Sequence, residues 1–347
     1  MMTRRCAWLA AILAMIGTTA VMADERELIG NSIRQVDRAV TRIDQQAVVG
    51  LLQSLRPNDD GLIGRNRDAG AFDSARMQMG AGDRVRMSIA LGGDVDRELS
   101  ALLLPFITPE GRSFRQNAPG GIAVDNDALK ASGDAFFLAD ACPALAAANS
   151  VSVEPTHLRE LMGRLLAFEE ALLSADRRAP NRLLYTALAF RACGSLIGDE
   201  TIIARAIRFE DAAFALQRDD GVFLEDGGTD TSYHGVSMRV LSELTPYAEA
   251  TTEGAHNYRA SLARASAWLE AKIPDNGELN SSANNRTCGG GETFFGRKKG
   301  VDVRNVWFGL ARAAVLLERT SANNAANRLT TRIRLGGIPE GFCFAKS

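Results

Sequence analysis

Histidine is the scarcest functional residue here: three in 347 positions, alongside five cysteines. That is too few soft ligands to suggest a zinc enzyme, and nothing in the sequence calls for a cofactor. A charge excess is also missing, since 40 basic residues stand against 42 acidic ones. A dedicated nucleic-acid binder needs a basic surplus to displace counterions, so that class is set aside. After the N-terminal segment no apolar run approaches the ~20 uncharged residues that span a bilayer, so no membrane partner is expected. What is present is an ordinary apolar complement, 46% of the chain, which excludes wholesale disorder and collagen-like repeats. The length fits two domains or one large helical one.

The N-terminus carries a targeting pattern. Arg4 and Arg5 precede the apolar run from Ala7 to Ile16, followed by small residues up to Val21-Met22-Ala23. This order predicts a secretory signal peptide over 1–23 and a periplasmic or secreted mature chain. Its removal takes Cys6 away and leaves Cys142, Cys193, Cys288 and Cys343. Four cysteines in an oxidising compartment imply two disulfides, in any of three connectivities.

Periodicity is helical almost throughout. Leu28, Ile29, Ile33, Val36, Val40, Ile43, Val48 and Leu51 mark one helix across 25–55, stopped by Pro57. Residues 58–83 are rich in Gly, Asp and Arg and are expected to be irregular. Arg84-Val85-Arg86-Met87-Ser88-Ile89 alternates and suggests a short strand. Pro105, Pro109, Pro119 and Gly120-Gly121 indicate a loop over 105–124. Further helices are expected over about 125–147, 155–174, 181–197, 200–217, 232–249, 255–272, 302–318 and 321–335. Pro155, Pro180, Asp199 and Ser321 start helices, whereas Gly198, Gly221 and Pro274 stop them. Such helices with short links predict stacked antiparallel hairpins, an all-α fold arranged as an incomplete α/α toroid over 125–347. Residues 24–124 would form a small, partly irregular N-terminal region.

Up-and-down alternation then places the loops 175–180, 218–231 and 273–301 at one end. Long polar loops gathered on one rim of a rigid scaffold are where binding and catalysis concentrate. The same parity pairs Cys142 with Cys193 at one end and Cys288 with Cys343 at the other.

Three constellations occupy this rim. Pro180-Asn181-Arg182 opens a helix; its bland explanation is capping, and its functional one is that Asn181 and Arg182 reach a sugar carboxylate or hydroxyl. The stretch 219–235 contains Glu225, Asp226, Asp230, Tyr233 and His234. Turns and caps explain much of it, but a phenol and an imidazole in one helical turn could also move protons. The stretch 284–300 carries Arg286, a run of three glycines, Glu292 and Arg297-Lys298-Lys299. A solvated charge patch accounts for the last three, yet Arg286 and these cations could also grip a carboxylate or sulfate. Phe223, Phe294, Phe295 and Trp307 are candidates for stacking on sugar faces.

An Asn-Arg helix start, two helices, Asp-Gly-x-Phe and a Tyr-bearing helix start together resemble the α/α-toroid polysaccharide lyases, such as those acting on chondroitin, hyaluronate and xanthan. The resemblance covers about residues 155–320. It implies that Asn181 helps neutralise a uronate carboxylate and that Tyr233 handles the proton, with an Arg nearby.

The leading expectation is a lyase that cleaves an acidic polysaccharide by β-elimination. Asn181 and Arg286 would stabilise the carboxylate as it gains enolate character, and Tyr233 or His234 would take the C5 proton. Arg182, Glu225, Asp230, Glu292, Arg297, Lys298 and Lys299 would line the substrate site. Two alternatives stand beside it. Glu225, Asp226, Asp230 and Glu292 could supply an acid/base pair for glycoside hydrolysis. Or the rim could be a non-catalytic glycan-binding or scaffold surface of the cell envelope.

Overall fold

In a computed structural model the described residues are 25–53, 78–107, 127–149, 155–250, 256–294 and 297–336, with single positions at 55, 57, 59, 61, 63 and 343. The expected signal peptide and most of the loop over 105–124 lie outside them. The described chain is mainly helical. A first helix, α1, covers 25–43 and is followed by α2 (Gln45–Gln53), α3 (Ala81–Leu91) and α4 (Val95–Ile107). Next come α5 (Asp127–Ala147), α6 (Pro155–Ala167), α7 (Glu169–Ala175), α8 (Pro180–Ile197) and α9 (Glu200–Phe214). The last four are α10 (Thr231–Ala250), α11 (Tyr258–Glu270), α12 (Val303–Leu316) and α13 (Thr320–Gly336). The strands among these residues are two dipeptides, β1 (Thr293–Phe294) and β2 (Arg297–Lys298), paired antiparallel within the longest loop.

Local chemistry explains the boundaries. Pro180 starts α8 and Gly198 ends it in the left-handed conformation (φ 68°), which a Cβ would disfavour. Asp199 caps α9 by accepting from the amides of Thr201 (3.0 Å) and Ile202 (3.3 Å). Asp302 caps α12 through the Asn305 amide at 3.2 Å. The single helix expected over 25–55 is divided at Asp44, whose side chain caps α2 through the Ala47 amide at 2.9 Å. Likewise α6 and α7 divide the expected 155–174 helix at Phe168.

The short strand expected over 84–89 is a helix, α3. Alternation misled because Asp83 and Arg86, polar residues, are as buried as Val85 and Met87. Helix α3 also approaches α5 closely: a Cβ on Gly82 would lie 2.0 Å from the Asp140 carbonyl oxygen. Helix α4, absent from the sequence expectation, follows a turn at Gly92 and Gly93 and carries Pro105 in its last turn.

The helices pack in two tiers. Neighbours run α3, α5, α8, α10, α12 along the inner tier, and α9, α11 and α13 flank α8, α10 and α12 from outside. Helix α8 is covered nearly along its whole length, which matches its weakly sided sequence. Ile29, Ile33, Val36 and Val40 of α1 belong to the same apolar cluster as Leu310 and Leu329 near the C-terminus.

Ions, not apolar groups, fill the middle of the inner tier. Arg86 bonds Asp37 at 2.8 and 2.9 Å, and Arg239 reaches Asp83 at 2.9 Å and Glu243 at 3.1 Å. Arg312 lies 2.8 Å from Asp37, and Arg304 lies 3.6 Å from Asp83. Asp140 accepts from the Gly80 and Gly82 amides, both at 2.7 Å. All of these side chains are buried. Four guanidinium groups thus face four carboxyls, the balance a dry ionic cluster requires.

Two disulfides staple the fold. Cys142 of α5 joins Cys193 of α8 with Cα atoms 5.2 Å apart, and Cys288 joins Cys343 at 5.5 Å. These are the pairings that helix parity predicts.

Candidate functional site

The three loops expected on one rim do meet. Arg178 of the first accepts from the Asp226 amide at 2.7 Å through its carbonyl, and its guanidinium lies 3.2 Å from the Asp226 carboxylate. Asn285 of the third donates to the Glu225 carbonyl at 2.7 Å, and its amide donates to the Thr229 carbonyl at 3.0 Å.

Asp230 fixes the geometry. One carboxylate oxygen caps α10, accepting from the amides of Ser232 (2.9 Å) and Tyr233 (3.1 Å). The other accepts from the amides of Thr287 (2.8 Å) and Arg286 (3.3 Å). Asn284 adds a second tie, accepting from the Thr231 amide at 3.0 Å. Tyr233 and Arg286 are therefore aimed from one anchor. Asp230 itself is fully buried with its oxygens occupied, so it positions the site and is not free to touch substrate.

Around Tyr233 stand two cations and two carboxyls. Its hydroxyl donates to Glu292, 2.9 Å from each carboxylate oxygen, and accepts from Lys299 Nζ. The Arg286 guanidinium lies 4.5 Å from the Tyr233 ring centroid, and Lys299 Nζ lies 4.4 Å from it. Arg286 bridges the carboxyls, bonding Glu292 at 2.9 Å and, through its other amino group, Glu225. Side chains of Arg286, Glu292 and Lys299 are 25%, 23% and 29% exposed, so the cluster opens to solvent on one side.

Electrostatics separate the members. Burial pushes the Glu225 carboxyl up to about 7, against the opposing pull of Arg286 and Arg182. Its Oε2 is buried without a hydrogen-bond partner among the described residues. Burial also drives the Tyr233 phenol well above its ordinary range; Arg286 opposes this, and the Glu292 carboxylate reinforces it. Tyr233 is thus a protonated phenol at rest.

His234 does not join them. It is fully enclosed, its Nδ1 accepts from the Phe223 amide at 3.1 Å, and its Nε2 stands 3.0 Å from the Ala265 carbonyl. The Nε2–H tautomer satisfies both contacts, and burial lowers its pKa to about 4. A neutral imidazole with both nitrogens committed holds the 218–231 loop against α11; it has no proton to exchange with a ligand. Phe223 and Trp307 are fully buried as well and offer no face to a sugar.

Asn181 and Arg182 lie at the start of α8. Arg182 is within electrostatic reach of Glu225 and bonds Asp176 at 3.2 Å. Asn181 is 5% exposed; among the described residues its Oδ1 has no hydrogen-bond partner and no hydrogen bond links the side chain to Tyr233 or Arg286. Lys298 is exposed on the ribbon. The side chains of Phe294, Phe295 and Arg297 lie outside the described residues.

The ionic cluster in the inner tier escaped sequence reasoning. Its signal was present as charges inside otherwise apolar helices, Arg239 with Glu243 and Arg304 with Arg312, at one-turn and two-turn spacing. Among the described residues no group of three or more His, Cys, Asp or Glu could hold a metal ion. No helix among them is long and apolar enough to cross a membrane. Compared with known proteins, the chain matches no family model and no curated sequence.

Proposed function

We propose that this protein is an exported carbohydrate-active enzyme that cleaves an acidic, uronate-containing polysaccharide by β-elimination at the Tyr233 rim. One observation carries the reading: the Tyr233 hydroxyl is held between the Glu292 carboxylate at 2.9 Å and the Lys299 ammonium, under Arg286. A buried phenol is a poor base alone. With Glu292 accepting its proton, the same oxygen can take the C5 proton of a uronate, and Lys299 stabilises the charge that passes through it. The relay then runs backwards: the phenol protonates the departing glycosidic oxygen, and the C4–C5 double bond forms as the C4–O bond breaks. Arg286 and Arg182 supply the positive field that a uronate carboxylate needs as it turns enolate-like. Asn181, at the neighbouring helix start, would join that contact by donating from its side-chain amide nitrogen; its buried Oδ1 is an acceptor and cannot bind a carboxylate.

The two-tier arrangement supports an α/α toroid, since α1, α3, α5, α10 and α12 all contribute to one ionic centre. Two disulfides support export. The test is a panel of uronic-acid polymers followed by ultraviolet absorbance of unsaturated uronate. Tyr233→Phe is expected to abolish the signal and Glu292→Gln to slow it at least tenfold. Absence of the chromophore across the panel, or a fully active Tyr233→Phe variant, would remove this reading.

Glycoside hydrolysis has one observation in its favour. Glu225, held up to about 7, shares Arg286 with Glu292, giving an acid beside a carboxylate. New reducing ends without the chromophore would select it.

A further inference from the structure

At the end of the helices away from Tyr233 lies a groove of about 870 Å³ between α1 and the finishing turns of α10 and α12. Glu249, on its wall, is sixteen residues along α10 from Tyr233, ~24 Å at 1.5 Å per residue. Arg34, Arg38 and Arg42 line it at successive four-residue steps of α1, a row spaced by ~6 Å of helix rise. Arg38 and Arg42 are exposed and have no hydrogen-bond or ion-pair partner among the described residues. Arg34 is partly spent, donating to the Ala147 carbonyl at 2.7 Å. Two acids stand on the opposite wall, Glu249 and the exposed Glu318; Arg259 engages Glu249, lies within electrostatic reach of Glu318 and also donates to the Leu316 carbonyl, so the lining carries four arginines against two carboxylates. Val36, Val315 and Leu316 supply an apolar floor.

We infer that this groove is a second binding site, for a linear anionic glycan whose repeated carboxylate or sulfate groups bind Arg38 and Arg42. Two unpaired guanidinium groups one helical turn apart suit charges repeated along a chain better than one compact anion, because guanidinium pairs with carboxylate or sulfate by a two-pronged fork. The apolar floor suits the C–H faces of sugar rings. The patch is a local concentration of cations, since the whole chain carries a formal charge of −2. Such a site would hold a polymer on the scaffold whatever chemistry the rim performs.

The experiment measures binding of size-defined oligogalacturonate by calorimetry. The protein carries Arg286→Ala and Lys299→Ala, so that the rim cannot contribute. Binding is expected to persist there, to weaken with salt, and to fall at least tenfold on adding R38E and R42E. The same charge change at Arg97 and Arg177 is expected to leave it within twofold, with helical circular dichroism unchanged in every variant. Loss of all binding with the rim variant alone, or indifference to R38E and R42E, overturns the inference. So does equal competition by inorganic sulfate, short duplex DNA or anionic lipid vesicles, because each would make the ligand something other than a glycan chain. Polymer cleavage that fails at the rim while oligogalacturonate still binds would count against the lyase reading alone.

Discussion

Asp230 and Thr287 are joined across 57 residues of chain: one carboxylate oxygen takes both the Thr287 amide (2.8 Å) and its hydroxyl (2.9 Å). The same side chain caps α10, so a single residue sets the positions of Tyr233 and Arg286 relative to each other. Asp230→Ala is expected to cost about 3 kcal/mol, a lost cap plus buried donors left unpaired. It should also lower polymer cleavage more than this stability loss explains. Urea unfolding alongside the ultraviolet assay reads both, and a variant as stable as the parent would refute the clamp.

His234 makes stability sensitive to mild acid. Burial lowers its pKa from 6.5 to about 4, so the unfolded chain binds a proton in that window and the folded one does not. Its contribution is present above pH 6.5 and falls by about 3 kcal/mol as pH drops to 4. In His234→Gln the two stability curves should converge toward pH 4. Parallel curves would show that the imidazole does not titrate this way.

Glu225 works in the opposite direction. Burial raises it from 4.5 to about 7, so the folded state holds a proton that the unfolded state has released. Stability from this group is fully present below pH 4.5 and is lost as pH climbs through 7. Glu225→Gln, which cannot ionise, should remove that decline. A variant whose stability falls as steeply over pH 5–7 as the parent's would contradict the assignment.

Glu243 sits among three guanidinium groups, with Arg239 at 3.1 Å, Arg86 at 3.4 Å and Arg312 at 3.7 Å. Burial alone would raise its carboxyl, but these cations outweigh it and hold it down at about 2. Glu243→Gln should destabilise by about 3–5 kcal/mol, because buried positive charge is left unmatched. An unchanged thermal midpoint would mean that the cluster tolerates the loss.

Cys142–Cys193 closes a loop across a sequence separation of 51. The loop-entropy estimate gives about 4 kcal/mol for its removal by paired alanine substitution. Both sulfurs lie in the core, so reduction without unfolding should be slow; rapid labelling of the folded protein by a thiol reagent would contradict this.

Much of this fold was legible because one-sided helices leave a strong periodic trace and their ends are marked by residues such as Pro180, Gly198 and Asp199. Alternating direction alone was enough to pair the four cysteines and to bring the three rim loops together. Helix α3 was not legible, since charges placed at Asp83 and Arg86 to meet distant partners broke the apolar period; α4 was overlooked although its sequence is one-sided. Within the site, Tyr233, Arg286, Glu292 and Lys299 could be singled out by residue type and loop position. The enclosure of His234 could not, because it depends on Phe223 and Ala265, contributed by a loop and another helix. Asp230 looked like a ligand group and is a brace, a distinction that only its four amide donors and the Thr287 hydroxyl reveal.

The Cys288–Cys343 bond fastens the far end of the chain to the loop that presents Arg286 and Glu292. The chain must therefore be made at least as far as Cys343, and two thiols must be oxidised, before that loop is tethered on both sides. Under reducing conditions the chain would carry the same side chains with this fastening undone, so the anchoring of the Arg286 and Glu292 loop is set by one covalent link.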